Sequence, residues 1–133
     1  MAQAGKKQIS NSKLNMMRKR ADFLAARDGV RAKGSALRTE VYPNNSDNHP
    51  PRIGLTVTKK NGNAVMRNRI KRRIRAAIIC NGTDEMRAAH DYVFISKPNA
   101  LNAPFDTLRS DARLLIEKSH QRLDEKTARR SQK

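Results

Sequence analysis

The chain has 133 residues, and 29 Lys or Arg against 12 Asp or Glu give it a formal net charge of +17. That length suits one domain with a modest core and excludes two ordinary ones. The charge calls for a polyanionic partner, RNA being the abundant one and an anionic membrane surface its competitor. Hydrophobic residues make up 37% and aromatics 4%, with no Trp, so the expected core is aliphatic. No apolar run approaches the length of a spanning helix, and the opening MAQAGKKQIS lacks the apolar stretch of a signal peptide. Cys80 stands alone, which leaves no disulfide framework, no disulfide-linked partner and no thiolate metal site. It reads as a small buried hydrophobe closing a helix. A reducing, cytoplasmic setting is the expectation.

Residues 1–13 are polar, basic and without periodicity, and read as a flexible arm. A short helix is expected from about Lys19 to Asp28, with Ala21, Phe23 and Leu24 as its apolar surface and Gly29 ending it. Leu37 to Tyr42 reads as a strand with weak alternation. Pro43 to Pro51 is a loop dense in turn formers. Arg52 to Thr58 then alternates, with Ile53, Leu55 and Val57 on one face, and predicts a strand. Asn61-Gly62-Asn63 breaks it.

The spacing predicts a helix over Ala64 to Ile79. Met66, Ile70, Ile74, Ala77 and Ile78 fall on one narrow stripe, which is expected to pack on a sheet. Asn81-Gly82 is a stop. Tyr92 to Ser96 suits a buried strand. Asp106 or Thr107 is placed to cap a last helix with Leu108, Ala112, Leu115 and Leu123 on its apolar face. Asp124 onward reads as a polar, frayed tail, so one domain is expected over 14–123 with a tail over 124–133. Helix, strands, helix, strand, helix is the pattern of an α+β chain, an α/β sandwich around one small sheet.

Between Lys59 and Arg75 eight of seventeen residues are Lys or Arg and none is acidic. Like charges on neighbouring turns repel, so the concentration makes sense against a polyanion. With the apolar stripe turned inward, Asn68, Arg72 and Arg75 point outward. Arg69 and Arg73 flank the stripe on one side, Arg67 and Lys71 on the other. Guanidinium groups contact phosphate bidentately, which an ammonium does not. Asn68 both donates and accepts, which suits a base edge or a ribose hydroxyl. Lys59 and Lys60 add charge where the strand ends, and the turn at Gly62 lets backbone approach a phosphate near the helix N-terminus. An ordinary solvated helix face would carry Glu among these cations.

These residues resemble the protein component of bacterial ribonuclease P. The matching words are RIGLTVTKK (52–60), NAVMRNRIKR (63–72), DYVFISKP (91–98) and, more weakly, RADF (20–23). The resemblance spans about residues 14 to 123. It implies an α/β sandwich of one mixed sheet and three helices, with a left-handed β-α-β crossover carrying the basic helix. It also implies an accessory subunit of an endoribonuclease whose RNA performs the chemistry with bound magnesium, none tightly bound to the protein. The expected partners are that catalytic RNA and precursor tRNA, whose 5′ leader is removed; no membrane is involved. Carried over onto this chain, Lys60, Arg67, Asn68, Arg69, Lys71 and Arg72 face the RNA, with Lys59 and Arg75 beside them. The leader is expected in a cleft between the sheet and the first and last helices, at Phe23, Arg27 and Ile116. Arg27 and Ile116 stand where relatives carry aromatics, so stacking on leader bases is reduced and Arg27 is placed to compensate. Phe23 suits the core as well as the cleft.

No catalytic constellation is evident. His49, His90 and His120 have no metal-ligand spacing among them, and Asp84, Glu85 and Asp91 read as solvated surface. The protein alone is expected to be inactive, and whether it holds any metal is left open. A structural, ribosome-associated RNA-binding protein is the alternative from a different class. A membrane-surface helix is a third, disfavoured because its apolar stripe is committed to packing.

Overall fold

The computed structural model describes residues 15–43, 50–81 and 85–131. The basic arm over 1–13 and all of the proline-rich loop between Pro43 and Pro50 lie outside the described residues. Five strands and three helices follow one another as β1 (Asn15–Met16), α1 (Arg20–Ala26), β2 (Val30–Lys33), β3 (Leu37–Pro43), β4 (Arg52–Thr56), α2 (Ala64–Asn81), β5 (His90–Ser96) and α3 (Phe105–Ser131). They form one mixed sheet in the order β1-β4-β5-β3-β2. β1 runs parallel to β4 and β4 to β5, whereas β3 is antiparallel to β5 and to β2. Parallel neighbours need a crossover, and α2 supplies it between β4 and β5.

Alternation along the strands divides the sheet into two unlike faces. Leu37 and Val41 of β3, Ile53 of β4, and Tyr92 and Phe94 of β5 point to the large core. There they meet Ile70, Ile74, Ala77 and Ile78 of α2 and Leu108, Ala112, Leu115, Ile116 and Leu123 of α3. Val93 and Ile95 point the other way, into a smaller cluster with Met17, Ala26, Phe23 and Tyr42. Thus α2 and α3 share one face and α1 covers part of the other. The core is aliphatic apart from Tyr92 and Phe94.

Asp111 of α3 ties the two layers together. Its buried carboxylate accepts the backbone N–H groups of Ser35, Ala36 and Leu37 at 3.2, 2.6 and 3.0 Å. Gly34 makes room for it, since a Cβ there would lie 2.9 Å from that carboxylate. A carboxylate with three N–H donors closes the β2–β3 turn onto α3.

Several expectations change. β1, β2 and the 3-10 turns Lys59–Asn61 and Pro98–Leu101 are additional. α3 starts at Phe105, one residue before the expected caps, and Asp106 instead pairs with Arg109 at 2.7 Å. Residues 124–131, expected as a frayed tail, continue α3 as helix. Cys80 is exposed rather than buried, because it falls off the stripe that ends at Ala77 and Ile78. Asp91, expected on the surface, is 2% exposed.

Candidate nucleic-acid interface

α2 begins where the chain leaves β4 through a tight 3-10 turn. Asn61 is buried under that turn and donates to Ser96 Oγ at 3.0 Å. Gly62 follows with φ at +119°, in the region that favours glycine. Asn63 then caps the helix, its Oδ1 accepting the Met66 N–H at 2.9 Å. Turn and cap fix where α2 starts, and therefore where its charges point. Lys59 and Lys60, both exposed, sit on the turn beside the helix N-terminus, whose dipole adds positive potential.

Ile70, Ile74, Ala77 and Ile78 are fully buried and hold the helix to the sheet. Met66, expected on the same stripe, is 36% exposed; it lies in the first turn, over Gly62, beyond the sheet's reach. Asn68, Lys71, Arg72 and Arg75 line an open groove of about 410 Å³ with Val65, which is itself exposed. Arg69 is exposed on the flank. Arg67 is half-buried, and its Nε is enclosed without a hydrogen-bond partner among the described residues. None of Lys59, Lys60, Arg67, Arg69, Lys71, Arg72 or Arg75 forms an ion pair among the described residues. An 18-residue helix without an acid, about 27 Å long at ~1.5 Å per residue, thus presents a cationic ridge.

Arg73 is the exception. Its Nη1 donates to the carbonyls of Ala100 and Leu101 at 2.7 and 2.6 Å, and its Nη2 to the carbonyl of Ala103. It clamps the segment leading into α3 and is spent on structure.

The α1 face is built differently. The Phe23 ring lies directly on Gly54 of β4, where a Cβ would meet the ring at 2.6 Å. Phe23 is half-buried between α1 and the sheet, so the core and cleft readings meet in one residue: its ring packs while part of it stays accessible. Tyr42, half-buried beside the same cluster, is a second aromatic on this face. It was legible as the β3 position out of phase with Leu37, Thr39 and Val41. Arg27 is exposed at the end of α1, and its carbonyl accepts from Arg31 Nη2 at 3.3 Å.

Arg52 sets α1 on the sheet. Its Nε and Nη2 donate to the two Asp91 oxygens at 2.9 and 2.7 Å, while Nη1 reaches Asp22 of α1 at 3.2 Å. The hydrogen bond to Asp91 holds the guanidinium pKa above its ordinary value against the opposing cost of burial. Ile116 does not belong to this site. It is fully buried in the core between α3 and the sheet, on the face opposite Phe23. The reason is its spacing: it follows Ala112 by four and Leu115 by one, on the inward side of α3. α1 and α3 pack on opposite faces of the sheet, so the two helices do not bound one cleft.

His120, expected at a helix end, sits inside α3 and meets Tyr92. The Tyr92 hydroxyl accepts the Arg87 N–H at 2.8 Å and lies 2.7 Å from His120 Nε2. Burial pushes Tyr92 up to about 12, and burial followed by the Arg87 charge pushes His120 down to about 4. The hydroxyl therefore donates to a neutral imidazole. His90 Nδ1 lies 2.8 Å from the Ala88 carbonyl, and His49 falls outside the described residues. Among the described residues no three His, Cys, Asp or Glu side chains gather where they would hold a metal ion, and no helix is long and apolar enough to cross a membrane.

The family model described as Ribonuclease P matches residues 12–120. The chain is 44% identical over 111 residues to the ribonuclease P protein component of Brucella suis, covering 77% of each chain. It is 47% identical over 100 residues to that of Bartonella quintana, covering 71% of this chain and 75% of the relative. The solved RNase P protein of Staphylococcus aureus superposes with a TM-score of 0.67 at 26% identity, covering 79% of this chain and 94% of that one. That of Thermotoga maritima gives 0.66 at 25% identity, covering 78% and 96%. The chain belongs to the ribonuclease P protein family.

Proposed function

We infer that the chain is the protein subunit of ribonuclease P and docks through α2 on the catalytic RNA of that endoribonuclease. The observation that carries this is the acid-free ridge of α2, with seven cations unpaired among the described residues, in a chain of this family. Arg67, Arg69, Arg72 and Arg75 supply planar donors to phosphate oxygens, Lys59, Lys60 and Lys71 add point charge, and Asn68 is placed for a base edge or ribose hydroxyl. The α1 face, at Phe23 and Arg27 with Tyr42 beside them, takes the 5′ leader of precursor tRNA. Stacking on the accessible part of an aromatic and pairing of Arg27 with phosphate are the two interactions that face offers.

Two RNAs repel, and a +17 protein between them lowers the magnesium needed to bring them together. The hydrolysis belongs to the RNA, and its magnesium to RNA ligands. The protein's residues bind, orient and neutralise. A cytoplasmic location fits that partner. Nothing in the family relation favours a ribosome-associated role.

Reconstitution tests the reading. Added to the catalytic RNA at low magnesium, the protein is expected to restore removal of the leader from a precursor tRNA, and to cleave nothing alone. No stimulation under those conditions overturns it.

A further inference from the structure

α3 carries a row of exposed cations along one side. Lys118, Arg122, Lys126 and Arg129 recur at spacings of four, four and three along one side of the helix, and all are exposed. Glu117 and Asp124 turn away from that side, where with His120 and Gln121 they border an open hollow of about 550 Å³; Glu125, three residues after Arg122 and four before Arg129, stands beside the row. Arg122 fixes which way the basic side looks. Its guanidinium donates to the backbone carbonyl of Arg31 on β2, the edge strand. Arg31 donates in turn to the carbonyl of Arg27 at the end of α1. One cationic line therefore runs from Arg27 through Arg31 and Arg122 along α3 to Arg129.

The line is largely uncompensated. Arg31 meets Glu40 at 3.6 Å but stays 67% exposed, and Lys118, Lys126 and Arg129 form no ion pair among the described residues. Glu125 is the acid beside the line, and it forms no ion pair among the described residues. The line joins the α1 face at Arg27, and β5 and β3 separate its edge strand from the β4 strand that leads into α2.

We propose that this line continues the leader path, holding the phosphates of the 5′ leader upstream of the segment at Phe23 and Arg27. It rests on the leader reading given under Proposed function. From Lys118 to Arg129 the helix rises about 16 Å at ~1.5 Å per residue, room for up to about five phosphates at the ~3.4 Å spacing of a stacked strand. The contact is electrostatic and reads no sequence.

The test uses the holoenzyme with full-length chain and two precursors, one whose leader ends at the α1 face and one extended by roughly five nucleotides. Lys118→Ala, Lys126→Ala and Arg129→Ala are combined; alanine keeps the helix, and an unchanged melting temperature verifies it. Wild type is expected to bind the extended precursor more tightly. The triple variant is expected to lose about tenfold on that precursor, with a salt slope lower by about 2 at ~0.7 per phosphate, and nothing on the short one. Equal loss on both precursors overturns the path, because the surface then meets the tRNA body or the catalytic RNA. No loss on either, or no gain by wild type from the extension, overturns it too. The leader reading is tested separately with Arg27→Ala on the short precursor, where unchanged binding removes that reading instead.

Discussion

The ridge on α2 and the face under α1 carry their charge in opposite ways. On α2 one rigid helix carries seven cations with its turn, none paired among the described residues, held down by four fully buried aliphatic residues. Under α1 the prominent cation, Arg52, is already paired with Asp91 and Asp22; what stays accessible is part of Phe23, part of Tyr42, and Arg27. The ridge stores uncompensated charge, which suits a large polyanion and gives strong salt dependence. The α1 face uses its ion pairs to fix a short helix in place, which suits a single strand that must be held rather than attracted. The difference teaches that arginine count is a poor guide to RNA contact, since Arg73 and Arg52 have equal charge and are spent internally.

Substitutions that separate these regions sharpen the comparison. Arg67→Ala with Arg69→Ala is expected to weaken binding to the catalytic RNA by about 100-fold, each arginine giving charged hydrogen bonds of ~1.5–3 kcal/mol, while the melting temperature stays put. Filter binding and a thermal melt read both. Arg73→Ala, four residues further along the same helix, should do the reverse. It orphans carbonyls at Ala100, Leu101 and Ala103, costs about 2 kcal/mol of stability and leaves the salt slope alone.

Arg52→Ala leaves Asp91 buried without its guanidinium and frees α1. Breaking a wholly buried pair costs ~3–5 kcal/mol, and the partial exposure of Arg52 reduces the expectation to about 2. Urea titration measures it, and leader-dependent binding should fall while RNA assembly does not. Gly54→Ala places a methyl against the Phe23 ring and should cost about 1 kcal/mol through overpacking. Its effect on binding should likewise be confined to the leader. If either variant instead weakens RNA assembly alone, the two regions are not separate.

The smallest effect is on pH. The folded value of His120, about 4, lies below its ordinary 6.5. Its contribution to stability is therefore complete above about pH 6.5 and is lost as the pH falls from there through about 4. The melting temperature should decline over that window in wild type. The decline should be shallower in His120→Gln, while RNA binding near pH 7 is the same in both.

The ridge was legible because a helix is local. Charge, stripe and caps all lie within residues 59–81, and the family words RIGLTVTKK and NAVMRNRIKR cover the same stretch. One misreading there, Met66, came from extending the stripe past the sheet's edge; the contacts of Arg73 with the segment before α3 were not legible locally. The α1 face was not legible in that way, because each of its parts depends on pairing between distant segments. Gly54 is a seat for Phe23 only once β4 lies beneath α1. Asp91 is a buried partner only once β5 lies beside β4 in the register that sets it against Arg52. Ile116 looked like a cleft position by analogy of place, yet its helical spacing with Ala112, Leu115 and Ser119 already turned it inward. The helical continuation of 124–131 was missed because polarity was read as disorder, although that segment contains neither Gly nor Pro.

The central claim is that the arginines of α2 meet the phosphates of the catalytic RNA. Its most direct test is the slope of log affinity against log salt for that RNA, with wild type and with Arg67→Ala/Arg69→Ala. Losing two phosphate contacts should lower the slope by about 1.4 to 1.8, at ~0.7 to 0.9 per contact. A slope equal to that of wild type would contradict the account.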